Sequence, residues 1–403
     1  MPAIHLIDEA GTTRPHELSE PEIGVTTVLR RPTSRRVYAA AHVVPRVAGN
    51  NVPDSAADID WDSTLAFRHH LWSCGLGVAD AMDTAQRNMG LDPTAIRALI
   101  TRSTVEAKAV GGSIVVGVNT DHLTDDVVSL QGVVDAYFEQ LEFAEEQGAE
   151  VVLMASRHLA RIAEGPDDYR QVYGQVLSRC STPVILHWLG PMFDPALAGY
   201  FGSADTSVAR DTVEQIIIEN QESVAGIKVS LLDGATEIAL RRTLPADVSV
   251  FTGDDFNYVD MIAGDGESHS DALLGAFATC APVAVAALHA LDRGDEVTFR
   301  QLLEPTQDLA REVFAPPTAF YKTGVAFLAW LNGHQPAFVM VGGLQSARSL
   351  PHLSRLIRLA DNAGALENPD LAASRWNSLL ALHGVDVAAR PDGIGMAVAH
   401  DHA

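Results

Sequence analysis

Val224-Ala225-Gly226-Ile227-Lys228-Val229 is the stretch on which the fold turns. Five of its six residues are apolar or small, and one lysine stands among them. A run this short and rich in Val and Ile reads as a strand covered on both faces, as in a parallel sheet. Helical patterns flank it at 211–220 and 233–242, and the next apolar run follows at 248–251. The same alternation extends outward. Strand-like runs fall at 37–44, 77–82, 113–118, 150–154, 183–186 and, more weakly, 272–277. Helical patterns lie between them at 61–73, 93–109, 130–147 and 168–180. Within 130–147, Val133, Val134, Tyr137, Phe138, Leu141 and Ala144 recur at three- and four-residue steps, as one buried helix face requires. Strands separated by helices imply parallel βαβ units.

Eight such units predict an α/β protein with a closed (β/α)8 barrel over 36–295. A doubly wound open sheet is the alternative, and the lack of a GxGxxG motif after the first strand counts against it. Residues 1–35 are expected to form an N-terminal hairpin, from a turn at Gly11-Thr12-Thr13 and a second apolar run at 25–29. Residues 296–390 read as a helical region packed on the barrel, and 391–403 as a tail.

Composition narrows the function. Of 403 residues, 28 are basic and 52 acidic, a net charge of −24 that repels phosphate backbones and anionic lipid. No nucleic-acid or membrane partner is therefore expected. Three scattered cysteines without a CxxC, and an opening Met1–Glu9 segment without a basic flank or long apolar run, fit a cytoplasmic protein. Only three of the basic residues are lysine (Lys108, Lys228 and Lys322); the other 25 are arginine, which makes each lysine informative.

In a (β/α)8 barrel the reacting groups sit at the C-terminal ends of the strands. Those ends bring up Asp83 and Thr84, Asn119, Asp121 and His122, Arg157 and His158, His187 and Trp188, Lys228, Thr252, Asp254 and Asp255, and His269 beside the eighth strand. Burial disfavours an ammonium, so Lys228 is expected to be a neutral amine, the nucleophile for a Schiff base. The structural alternative is an ion pair with Asp254 or Asp255 that ties strands 6 and 7 together. His122, His158, His187 and His269, with Asp83 or Asp121, offer a second chemistry: divalent-metal ligation in a sugar isomerase or aldolase.

The motif Gly226-Ile227-Lys228, followed by Val250-Phe251-Thr252-Gly253-Asp254-Asp255, resembles the dihydrodipicolinate synthase and N-acetylneuraminate lyase family of class I aldolases. There strand 6 carries G-[IV]-K and strand 7 [SA]-G-D-[DE]. Ala40-Ala41-His42-Val43-Val44-Pro45, Pro183 to Pro191, Gly294-Asp295 and Pro316-Pro317-Thr318-Ala319-Phe320-Tyr321-Lys322 extend the likeness over about 36–365, in order. The pattern is similar to a divergent branch of unknown function. The resemblance implies Lys228 as the Schiff-base lysine, no cofactor, and a homodimer or homotetramer, with the apolar segment 324–331 either forming an interface or packing on the barrel. His187 stands where the family has its catalytic tyrosine and is expected to move protons. Met82-Asp83-Thr84-Ala85-Gln86 replaces the carboxylate-binding G-T-T-G-E, leaving Thr84 as the hydroxyl. The family's arginine is missing from Pro191-Met192-Phe193-Asp194, so Arg157 is the one candidate cation for an anionic substrate. With Asp83, Asp121, Asp254 and Asp255 at the mouth, the expected substrate is a neutral keto-sugar or keto-polyol, positioned by Asp83, Asn119, Arg157, Trp188, Thr252, Asp254, Asp255 and His269. The expected reaction is a lyase or dehydratase step. A sugar-binding protein with a degraded site is the non-catalytic alternative.

Overall fold

A computed structural model describes residues 1–21, 23, 30–123 and 129–385. The chain opens with an antiparallel hairpin, β1 (Ala3–Ile7) and β2 (Thr13–Glu17), in the register Ile4↔His16 and Leu6↔Arg14. Its turn is held by the Asp8 carboxylate, which accepts from the backbone N–H groups of Ala10 and Thr12. The second strand is therefore 13–17; the 25–29 run lies outside the described residues.

Eight parallel strands follow: β3 (Val37–Ala40), β4 (Gly77–Asp80), β5 (Ile114–Val118), β6 (Glu150–Leu153), β7 (Val184–Leu189), β8 (Val224–Ser230), β9 (Ser249–Thr252) and β10 (Asp271–Leu274). They close on themselves, β10 pairing with both β3 and β9. The (β/α)8 barrel expected from the alternation is the fold. The crossover helix Leu130–Gln147 buries the expected face, with Ser129 capping its N-terminus through Gly132 N and Gly148 ending it at φ 70°.

The barrel interior is filled by Tyr38, Ala40, Ala79, Met82, Val115, Val152, Met154, Ile185, Phe251 and Leu273. Inward and outward positions alternate along each strand. Two residues beyond inward Ile185, His187 also points in, and the registers His187↔Lys228 and Lys228↔Phe251 carry Lys228 inward with it. Trp188 and Val229 pack in the outer layer between sheet and helices.

After the barrel, helices Ala281–Asp292, Glu296–Val313, Tyr321–Leu331, Leu350–Asn362 and Pro369–Leu382 build one core with the hairpin. Trp376 Nε1 donates to His5 O and Ile7 N to Ser354 Oγ, tying the two ends of the chain together. Every residue of Tyr321–Leu331 is buried within the chain, so the apolar segment 324–331 packs internally and presents no face to another subunit. The 391–403 tail lies outside the described residues. Among the described residues no helix is long and apolar enough to cross a membrane.

Candidate active site

Lys228 sits on the inward face of β8, 8% exposed. Gly253, just after β9, makes room for it: a Cβ there would lie 2.8 Å from Lys228 Cε and 2.2 Å from Ser230 Oγ. Among the described residues the Lys228 amine makes no hydrogen bond and no ion pair. Burial lowers its pKa, and the charges of Asp83 and Asp255 oppose that shift without closing to contact. Burial likewise raises Asp255, against the Ala276 N–H that its Oδ1 accepts at 2.9 Å and the charge of Lys228. Both groups are thus pushed toward their neutral forms, and a neutral amine is a nucleophile.

His187 lies beside Lys228 with no solvent exposure. Its Nε2 is 3.1 Å from Ser230 Oγ, and its Nδ1 is buried without a partner. Burial, then the charge of Lys228, holds its pKa well below the usual imidazole value. It is a neutral ring at physiological pH.

A phenol reaches the mouth from a different part of the chain. Tyr321, the first residue of helix Tyr321–Leu331, has its hydroxyl 2.8 Å from Thr84 Oγ1, and both residues are buried. Gly275, at the end of β10, permits this approach; a Cβ there would stand 3.2 Å from the Tyr321 ring. The ring stacks on Phe314 at 4.4 Å and 13°, and Phe193 meets both edge-on at 6.0 and 6.2 Å. Burial, then the charge of Asp83, raises the phenol well above its usual range, so it stays protonated. Lys322 follows at 3% exposure, its Nζ donating to Ala319 O at 3.0 Å. Burial lowers it to about 8, against the attraction of Asp83 and Asp194.

The remaining mouth residues divide. Asn119, Asp121, Arg157 and His158 line a cavity of about 500 Å3 beyond β5 and β6. Arg157 is not a free cation there, because its Nε is paired with Asp194 Oδ2. Asp121 is held by Arg87 at 2.6 and 2.7 Å; burial raises its pKa, and this pairing outweighs burial to leave it lowered. Trp188 turns outward onto Phe201, 5.7 Å and 90° away, where it cannot stack on a substrate. Thr252 pairs in register with outward Val229 and lies behind the wall. Asp254 caps the following turn, accepting from Phe256 N and Asn257 N, and Asn257 Nδ2 donates to its second oxygen. His269 precedes β10 and so sits at the barrel's opposite, N-terminal face, near Arg35 and Arg241. The four histidines proposed as metal ligands are dispersed as well: His187 on Ser230, His158 on Thr120, His122 on Gln140, and His269 across the barrel.

Sequence reasoning missed Tyr321 and Lys322. Both lie in the segment that resembles the family's, and the scarcity of lysine is the one signal that points to Lys322. Nothing in local periodicity says that a helix 40 or more residues past the last strand returns to the mouth.

The chain folds as a (β/α)8 barrel, and in fold it is similar to solved dihydrodipicolinate synthases. The dihydrodipicolinate synthase of Thermotoga maritima matches with a TM-score of 0.61 at 14% identity, over 83% of this chain and 100% of that one. The Aquifex aeolicus enzyme matches at 0.62 and 14%, over 83% and 100%. A Bacillus anthracis dihydrodipicolinate synthase matches at 0.57 and 16%, over 80% and 97%. The chain itself belongs to the family described as "Protein of unknown function (DUF993)", whose model matches residues 4–385. No curated protein matches it in sequence.

Proposed function

We propose that the protein is a class I aldolase-type lyase or dehydratase that binds a small neutral carbonyl compound through Lys228. The observation that carries this reading is the buried, unpaired amine of Lys228 at the centre of a parallel barrel. An ammonium enclosed this far with no carboxylate in contact is disfavoured, which favours a neutral amine, the form a nucleophile needs. The likeness in fold to dihydrodipicolinate synthases agrees with it.

The neutral amine adds to the substrate carbonyl, and the carbinolamine loses water to give an iminium. In a lyase step the iminium takes up the electron pair of the C–C bond that breaks, leaving an enamine that is then protonated to a second iminium. In a dehydratase step the iminium takes up the pair of the adjacent C–H bond as its proton leaves, and the enamine expels the β-hydroxyl, protonated to water, to give a conjugated iminium. Hydrolysis of the final iminium releases product and restores Lys228. Protons move through the Thr84–Tyr321 hydroxyl pair, with Tyr321 providing the phenol that His187 does not. His187, neutral and bonded to Ser230, holds the floor beside the amine. Phe193 and Phe314 keep water from the phenol. Asp83 and Asp255 set the charge around Lys228, and Asn119 and the Arg157–Asp194 pair face the adjoining cavity.

The preference for a neutral substrate has a different basis from the acid count alone, since Asp121 and Asp254 are already engaged. Every cation near the amine has an acid in reach: Lys322 faces Asp83 and Asp194, and Arg157 holds Asp194. A substrate carboxylate would have to displace one of them. The test is turnover, followed by NMR, of uncharged ketoses and inososes against pyruvate and oxaloacetate. A neutral ketone should be consumed and Lys228→Ala should be inert; turnover by Lys228→Ala at the wild-type rate would end this reading.

A further inference from the structure

We propose a zinc site, separate from the barrel mouth, formed by His70, His334 and Glu367 with Cys74 as the fourth ligand. His70 and Cys74 are four residues apart at the end of helix Trp61–Ser73, so they share one face. His334 follows helix Tyr321–Leu331, and Glu367 precedes helix Pro369–Leu382. The donor atoms of His70, His334 and Glu367 all lie within 4.8 Å of one another.

The separations of the two imidazoles from Glu367 are those of a tetrahedral ion, and the Cys74 thiol, near His70 but outside that 4.8 Å cluster, turns inward to complete it. With Zn–N and Zn–O near 2.05 Å and Zn–S near 2.3 Å, tetrahedral angles place N and O about 3.4 Å apart and S and N about 3.6 Å apart. His70 Nε2 and His334 Nε2 approach the same Glu367 oxygen at 3.4 and 3.0 Å. Cys74 Sγ is 3.9 Å from His70 Nε2. Two imidazoles, a carboxylate and a thiol are a donor set suited to zinc, not to calcium or magnesium, which take oxygen.

The surroundings are prepared. Asn332 accepts from Glu367 N at 3.0 Å and donates to Ala365 O at 2.9 Å, which locks the two ligand-bearing loops together. The Phe67 ring walls one side, its centroid 6.0 Å from that of His70 and 5.5 Å from that of His334. The His70, His334 and Glu367 side chains keep 12–17% exposure, an entry path for the ion. Binding deprotonates the Cys74 thiol and releases that proton to solvent. The ion then staples the first barrel helix to the C-terminal helices that carry Tyr321.

The test uses the full-length protein stripped with chelator, with Zn2+ or Co2+ alone as the probe. We expect one equivalent of zinc per chain and a higher melting temperature in its presence. Co2+ should give the visible spectrum of a tetrahedral ion with a thiolate charge-transfer band. Cys74→Ser should lose that band and weaken zinc binding roughly tenfold or more. Glu367→Gln, which keeps the hydrogen-bonding shape, should weaken it likewise, and His334→Ala should abolish it in protein whose circular dichroism is unchanged. Absence of saturable zinc binding by wild type overturns the proposal. So does zinc affinity in folded Cys74→Ser and Glu367→Gln equal to that of wild type.

Discussion

Replacing Tyr321 by Phe separates a proton-relaying phenol from a structural one. The substitution removes one oxygen and leaves the ring, so the 4.4 Å stack on Phe314 and the edge contact with Phe193 persist. It also leaves the Thr84 hydroxyl, 2% exposed, without its 2.8 Å partner. A neutral hydrogen bond lost in this way destabilises by about 1–2 kcal/mol. If the phenol only held the fold, that loss would lower the unfolding midpoint and leave the folded enzyme's kcat near wild type. If it transfers protons, kcat falls by about 10²–10⁴, equivalent to about 3–5 kcal/mol in the barrier. The assay pairs kcat on the best substrate of the ketone panel with denaturant unfolding, and adds Thr84→Val and the double variant. The double variant removes both hydroxyls, so its stability loss should be smaller than the sum of the two single losses by about 1 kcal/mol. Turnover by Tyr321→Phe within threefold of wild type, alongside the expected stability loss, would refute the relay.

Three further outcomes follow from the same geometry. Asp80→Asn leaves the Arg68 guanidinium, wholly enclosed and bonded to Asp80 at 2.8 and 3.1 Å, without a counter-charge; denaturant unfolding should show a loss of about 3 kcal/mol or more. Gly253→Ala places a Cβ 2.2 Å from Ser230 Oγ and 2.8 Å from Lys228 Cε, so the folded variant should lose nearly all covalent trapping of a ketone at Lys228. Glu312 is held at about 2 instead of 4.5, chiefly by its hydrogen bond to His352 and with help from Arg355. That stabilisation is fully present above pH 4.5 and lost as pH falls toward 2, so unfolding measured across this range should show the gap between wild type and Glu312→Gln closing with acid.

The barrel was legible because each strand is a short apolar run and each helix carries a 3.6-residue stripe; 61–73 and 130–147 end where the structure ends them. Lys228 was legible because a charged residue inside an apolar strand violates the pattern around it. Side-chain direction was not. His187 and Trp188 are adjacent at the end of β7, yet one faces the amine and the other packs on Phe201. That parity depends on which residue of the strand starts inward, and a run buried on both faces does not reveal it. Strand polarity likewise decides that His269, before β10, is on the wrong side of the barrel for the mouth. Arg87 for Asp121 and Asp194 for Arg157 are partners 34 and 37 residues away, fixed by closure of the sheet. The return of Tyr321 and Lys322 to the mouth depends on tertiary packing of the C-terminal helices, which no local signal encodes.

The most direct test of the central claim is borohydride reduction of the protein with a ketone substrate, followed by peptide mass mapping. The account predicts one reduced adduct per chain, on the peptide containing Lys228, absent without borohydride and absent in Lys228→Ala. Turnover of the same ketone with no adduct, or an adduct on Lys108 or Lys322 while Lys228 stays unmodified, would contradict it.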